Sequence, residues 1–298
     1  MTLQGAGKTN MTSQETTTPQ NDWDLVIRPQ RPWWDLRLGE VWRYRDLIGL
    51  WVRREFVSFY KQTVLGPIWH IIPAIISSIV YTIIFSGVAK ISTDGIPPYL
   101  FYMAGNTIWV FFSSCISSTS NTFAVNAGIF GKIYFPRMCM PIALIISQMV
   151  AFGVRFGVFV VFWLFFLLSG SQVHPNLWIL LLPILVLIVA GLGMGFGIII
   201  SALTTKYRDL QQLLGVGLQL AMYASPIVYP FSTVPEKWRW LLLANPLTPV
   251  IETFRFAFLG KSALEPVYLI YSVGFMMVVL LIGFMVFNKA ESNFMDTI

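Results

Sequence analysis

Charge is scarce in this chain. Asp, Glu, Lys and Arg make up 11% of its 298 residues, against about a quarter in soluble domains, which excludes an ordinary water-facing surface. Period-2 alternation is missing from its long apolar stretches, which excludes the strands of a membrane barrel. Cysteine is nearly absent. Cys115 and Cys139 lie in or beside apolar runs with no pairing by spacing, and they read as small buried hydrophobes rather than a disulfide or redox pair. His70 and His174 stand far apart without a carboxylate pattern, so no metal site is read. A phosphate-binding loop is missing too. Gly7-Lys8-Thr9 would need a glycine at Thr2 and a preceding strand, and Gly260-Lys261-Ser262 would need a glycine where Arg255 stands. Neither completes a Walker A motif. No catalytic residue and no cofactor is therefore assigned to the chain.

Apolar sequence is what it has in quantity. Hydrophobic residues reach 56% and the mean hydropathy is +0.68. Continuous runs of about 20 such residues cross a bilayer as helices, so the chain reads as an all-α polytopic membrane protein. Six spans are expected, at about 66–88, 99–120, 141–169, 177–203, 213–229 and 266–287. Residues 1–32 begin with a stretch rich in Thr, Gln, Asn and Gly and read as a disordered cytoplasmic tail; the start lacks the apolar core of a signal peptide. Residues 288–298 read as a cytoplasmic C-terminus.

The net charge is +6, yet nucleic acid is not the partner it suggests. Nine of the twenty basic residues precede Pro67, beside the first span, where they read as positive-inside topology and attraction to anionic lipids. Residues 33–61 form a basic amphipathic pattern, with Leu38, Val41, Trp42, Ile48, Trp51, Val52, Phe56 and Phe59 at three- and four-residue steps. Such a helix lies in the membrane interface or packs on a soluble partner.

The stretch 231–262 is too apolar for a loop and too interrupted for a span. Asn245, Pro246, Pro249, Glu252 and Arg255 divide it, and Trp238 and Trp240 stand in its first half. With the N-terminus inside and six spans, fourteen basic residues fall on the cytoplasmic side and five outside, Arg255 among the five. A seventh span over 241–259 would bury Glu252 and Arg255, at roughly 2.5–3.5 kcal/mol each on insertion scales. A re-entrant external hairpin is the expectation, and non-helical backbone at such depth marks a pathway lined by protein or water.

Arg155 is the only charged residue inside the six spans. Intramembrane charges face a bundle interior or a wet cavity. With no acid in any span, its partner is expected to be a polar group, a backbone carbonyl or a carboxylate from the hairpin. One charge is thin material for an ion-coupled carrier, the alternative from another class. Gly191, Gly193, Gly195 and Gly197 lack the spacing of a nucleotide fingerprint and read as close helix packing. Among the aromatics, Trp69, Tyr99, Tyr102, Trp109, Phe112, Tyr223 and Tyr229 are candidate conduit linings, since aromatic faces suit sugar rings.

A set of ordered motifs then joins these readings. Arg53-Arg54-Glu55-Phe56 and Tyr60-Lys61 precede Leu65-Gly66-Pro67-Ile68-Trp69. Phe135-Pro136-Arg137 follows Asn126, and Lys206-Tyr207-Arg208-Asp209-Leu210 follows the fourth span. Pro226, Tyr229-Pro230 and Val234-Pro235 lead to Asn245-Pro246-Leu247-Thr248-Pro249. Over about residues 33–290 the chain resembles the permease subunit of ABC-2 type polysaccharide exporters, O-antigen exporters most, with capsular and teichoic-acid exporters as relatives. Export of a small amphiphile or drug is the alternative within that class. The resemblance implies the ABC-2 (type V) exporter fold and a homodimer in a bacterial inner membrane, with both termini cytoplasmic. It implies two copies of a separate ATPase chain that bind ATP and Mg, and an undecaprenyl-linked polysaccharide as cargo. It implies ATPase coupling through Arg53, Arg54, Glu55, Asn126, Lys132, Arg137, Lys206, Arg208 and Asp209, and a periplasmic gate over 231–262 containing Trp238, Trp240, Asn245, Pro246, Pro249, Glu252 and Arg255.

Overall fold

Backbone polar groups within a bilayer must be satisfied inside their own segment, and the apolar runs accordingly form helices. The computed structural model describes residues 38–61, 66, 68–122, 128, 135–171, 173–204, 207, 209–261 and 265–295. The expected tail, with Asn126, Lys132, Lys206 and Arg208, lies outside the described residues. The elements are α1 (Leu38–Arg43), α2 (Arg45–Lys61), α3 (Ile68–Tyr81, continued as a π-helix over Thr82–Val88), α4 (Pro98–Ser120) and α5 (Cys139–Leu168). They continue with α6 (Leu182–Thr204), α7 (Leu210–Tyr223), α8 (Glu236–Ala244), α9 (Leu247–Leu259) and α10 (Leu269–Met295). No strand occurs among the described residues.

Among the described residues, five helical stretches are long and apolar enough to cross a membrane: Ile68–Val88, Pro98–Ser120, Cys139–Leu168, Leu177–Thr204 and Leu269–Lys289. Their ends lie within three residues of the expected ones. The stretch expected as a fifth span over 213–229 differs. Its helix α7 has 14 residues and rises about 21 Å at 1.5 Å per residue, after which 224–229 turns.

The least apolar crossing helix is the most buried. In α4 78% of the apolar window is buried at a mean hydropathy of 1.2, whereas in Ile68–Val88 only 11% is buried at 2.1. Lipid is as apolar as any core, so polarity collects inside. The α4 hydroxyls of Thr107 and Thr119 donate to Met103 O and Cys115 O at 2.8 and 2.6 Å. Asn106 donates to Ser77 Oγ of α3 at 2.7 Å.

The four glycines of α6 sit at every second position, which sends them to opposite faces of a helix. Gly191 and Gly195 admit Met276, Val279 and Leu280 of α10, while Gly193 and Gly197 admit Cys115 and Thr119 of α4. A Cβ at any of the four would collide with those neighbours. Thus α6 is clamped between α4 and α10 by close approach on both sides.

The basic amphipathic segment behaves differently from the expectation. It is nearly one helix, interrupted at Tyr44, whose N–H still reaches Val41 O at 3.1 Å. Val41, Ile48 and Trp51 are buried in a cluster with Phe135, Met138, Cys139, Met140 and Phe287. That part of the apolar stripe is therefore covered by the chain itself. Trp42, at 71% exposure, and Phe56 fall outside it.

Candidate functional site

Arg255 lies at the heart of the hairpin region. It is 1% exposed and Glu252 is 3% exposed, both buried within the protein, and the 13-residue α9 is too short to cross a membrane. Burial inside the protein differs from the burial in a seventh span that the sequence argued against, and the pair tolerates it. The reason is mutual satisfaction: three residues apart on a helix, the two share a face. Arg255 Nη1 donates to Glu252 Oε1 at 3.1 Å and to Pro226 O at 2.6 Å. Nη2 donates to Ile227 O at 2.8 Å and Phe101 O at 3.4 Å, and the guanidinium carbon stands 3.6 Å from the centre of the Phe101 ring. One arginine therefore joins α9, α4 and the turn after α7. Gly105 makes room, since a Cβ there would come 2.7 Å from Nη2. Burial pushes the guanidinium down from its ordinary value and the Glu252 carboxylate opposes that shift; Arg remains charged.

The junction between α8 and α9 is tied on two sides. Asn245 Nδ2 donates to Ser225 Oγ at 2.8 Å, and its Oδ1 accepts the Leu247 N–H at 3.0 Å. From α10, Tyr271 Oη reaches Ala244 O at 2.8 Å and Ser272 Oγ reaches Pro246 O at 2.7 Å. Pro249 is buried with the rest of α9. Beyond this junction α8 is loosely held. Leu242 is its buried residue, while Trp238, Trp240 and Leu241 are exposed.

The candidate conduit aromatics do not share one surface within the chain. Trp109 and Phe112 line an apolar groove of about 250 Å³ with Phe196, Ala221, Asn245 and Pro246. Tyr102 is packed in the core against Tyr81, Phe85 and Phe101. Tyr99 stacks edge-on against Phe162, with centroids 5.0 Å apart. Tyr229 Oη donates to Tyr223 O at 3.0 Å, and Tyr223 and Trp69 are exposed. The sequence reading places a fifth span here with Tyr223 as a candidate lining; in α7 no residue is buried. Gln212, Gly215, Gln219 and Tyr223 recur there at three- and four-residue steps on its exposed surface. Two glutamines on one face of an apolar helix were the available signal.

At the opposite end, Arg53 and Arg54 are exposed, and Arg54 pairs with Glu55 at 3.0 Å. Asp209 is exposed just before α7, whereas Arg137 is buried. Arg155 is 5% exposed. Its Nε and Nη2 find no hydrogen-bond partner, so none of the three expected kinds of partner is met; the carboxylate of Glu252 serves Arg255 instead.

Five helices long and apolar enough to cross a membrane, among the described residues, mark a multi-pass membrane protein. The model of the ABC-2 type transporter membrane family matches residues 46–259, and the chain belongs to that family. It is 29% identical over 254 residues to the O-antigen export system permease protein RfbA of Klebsiella pneumoniae, covering 84% of this chain and 94% of that one. It is 26% identical over 222 residues to RfbA of Myxococcus xanthus, covering 74% and 82%. To the polysialic acid transport protein KpsM of Escherichia coli it is 25% identical over 240 residues, covering 80% and 91%.

Proposed function

We propose that this chain is the membrane-spanning permease of an ATP-driven exporter that moves a lipid-linked polysaccharide, of O-antigen or similar type, outward from the cytoplasm. The observation that carries the reading is similarity to O-antigen export permeases along most of both chains. A capsular polymer is the second reading, favoured by the likeness to a polysialic acid transport protein.

ATP and Mg are bound by a separate ATPase chain, present in two copies beside a permease homodimer in the bacterial inner membrane. Both termini face the cytoplasm, and α7 together with the turn over 224–229 serves as the sixth crossing. Its exposed glutamine stripe supports this arrangement, since amides facing hydrocarbon are costly and a wet conduit between two copies relieves that cost. The basic face of α2 meets anionic lipid headgroups and the ATPase, with Arg53, Arg54, Arg137, Arg208 and Asp209 near the coupling surface. The α8–α9 pair covers the outer exit.

Deletion of the gene tests the reading. Newly made, pulse-labelled glycan is expected to accumulate inside the cell on its lipid carrier and to return to the surface when the chain is restored. Normal surface glycan in a clean deletion overturns it.

A further inference from the structure

The two short helices of the hairpin are held in different ways. A helix leaves its last four carbonyls without partners inside the helix, and in α9 each of the four finds a donor from α5 or from the connection that follows it. Asn176 Nδ2 donates to Phe256 O at 2.9 Å, and the Asn176 N–H donates to Ala257 O at 3.1 Å. Trp163 Nε1 donates to Phe258 O at 2.8 Å, and the His174 N–H donates to Leu259 O at 3.4 Å. Every residue of α9 except Phe256 is buried. Capped at its end and bound by Arg255 in its middle, α9 is a fixed element.

The stretch before it is the reverse. Its small apolar cluster joins Phe231 and Leu242 to Tyr229, Val234 and Leu243, all near neighbours in sequence, and Arg239 Nε donates to Val234 O at 3.1 Å. Residues 231–243 thus pack upon themselves. Among the described residues, one hydrogen bond leads from them to a distant part of the chain: Ser232 Oγ donates to Asp94 Oδ2 at 2.7 Å. Asp94 stands in a well-set turn between α3 and α4. It and Gly95 take left-handed backbone, at φ 54° and 76°, the Asp94 N–H donates to Ser92 Oγ at 3.2 Å, and Lys261 Nζ, just past α9, donates to Asp94 O at 3.0 Å. The other attachment is the Ala244–Pro246 junction, held by Ser225, Tyr271 and Ser272, where Asn245 leaves helical geometry at ψ 114°.

We propose that residues 231–244 form a hinged flap that pivots at Asn245 and is latched by Ser232 on Asp94, while α9 stays fixed. Opening breaks one hydrogen bond between distant residues and leaves the flap's own contacts intact, and element ends such as Asn245 are where hinges absorb backbone rotation. Asp94 and Ser232 are positioning residues. That the flap controls passage rests on the proposed placing of the α8–α9 pair over the outer exit.

Hydrogen–deuterium exchange on the purified full-length chain in detergent tests the flap. The bonded amides of 240–244 are expected to exchange at least tenfold faster than those of 251–259. S232A should speed exchange over 240–244 by about fivefold, the loss of one hydrogen bond, and leave 251–259 unchanged; S232T, which keeps the hydroxyl, should restore the wild-type rate. N176A should do the opposite, speeding 256–259 alone. Exchange of α8 as slow as that of α9, or an S232A variant with unchanged α8, overturns the proposal. A disulfide in D94C/S232C then tests passage, since Cys115 and Cys139 are buried and do not compete. Export of labelled glycan should fall at least tenfold on oxidation and return on reduction, while each single variant still exports. Undiminished export by fully cross-linked protein removes the latch from the mechanism. Exchange is read without any cargo, so failure of the flap and failure of the proposed export give different results.

Discussion

Arg255 and Arg155 are both buried arginines in a chain poor in acids, and their surroundings are opposite. Arg255 has a carboxylate three residues away, three backbone carbonyls and an aromatic face. Arg155 has two buried nitrogens without partners among the described residues. Arg255 Nε, like Arg155 Nε, has no partner, but a guanidinium whose two terminal nitrogens are held by its own chain is a fastener. Burial alone does not separate the two; the inventory of acceptors does.

The contrast can be broken by substitution. Arg255→Gln strands the Glu252 carboxylate and the carbonyls of Pro226 and Ile227, and a loss of about 3–5 kcal/mol of stability is expected. Thermal melting in detergent would register it, and a variant as stable as wild type would remove the fastener role. Gly105→Ala pushes a methyl group against the same guanidinium, for an expected loss of about 1–3 kcal/mol. Combining it with Arg255→Gln should cost less than the sum, because the two changes strike one contact.

Asn245→Ala removes the bond to Ser225 and the cap on α9, and about 1 kcal/mol is expected. Arg155→Gln sharpens the comparison most. Because it removes an unanswered charge, its melting temperature should match or exceed that of wild type. Destabilisation as large as that of Arg255→Gln would erase the distinction between the two sites. Trp240→Ala, at a residue 64% exposed, should change stability by no more than about 0.5 kcal/mol. A larger drop in melting temperature would show that α8 is packed more firmly than its exposure indicates.

Much of this architecture was legible in the residues. The five crossing helices follow from apolar length, and the α6 glycines announced close packing, although their division into two opposed faces emerges only with α4 and α10 in place. The hairpin was legible as an anomaly but its burial was not. The insertion cost that argues Glu252 and Arg255 out of a seventh span says nothing of burial within the protein, for which the i,i+3 spacing was the signal. The stripe on α1 and α2 was legible as amphipathic, but periodicity cannot say whether lipid, a partner or the chain's own α5 covers it. Among the conduit aromatics, Tyr102 and Trp109 look alike in sequence; one is locked in the core and the other lines a groove.

By itself, the sequence determined the class of molecule: its apolar length demands helices across a bilayer. Only the tertiary structure decided which arginine is answered. Acceptors for Arg255 come from Phe101, Pro226 and Ile227, up to 154 residues away, and backbone carbonyls carry no signature in a sequence. Their convergence on one guanidinium, and their absence around the other, depends on how α4, α5 and α9 pack.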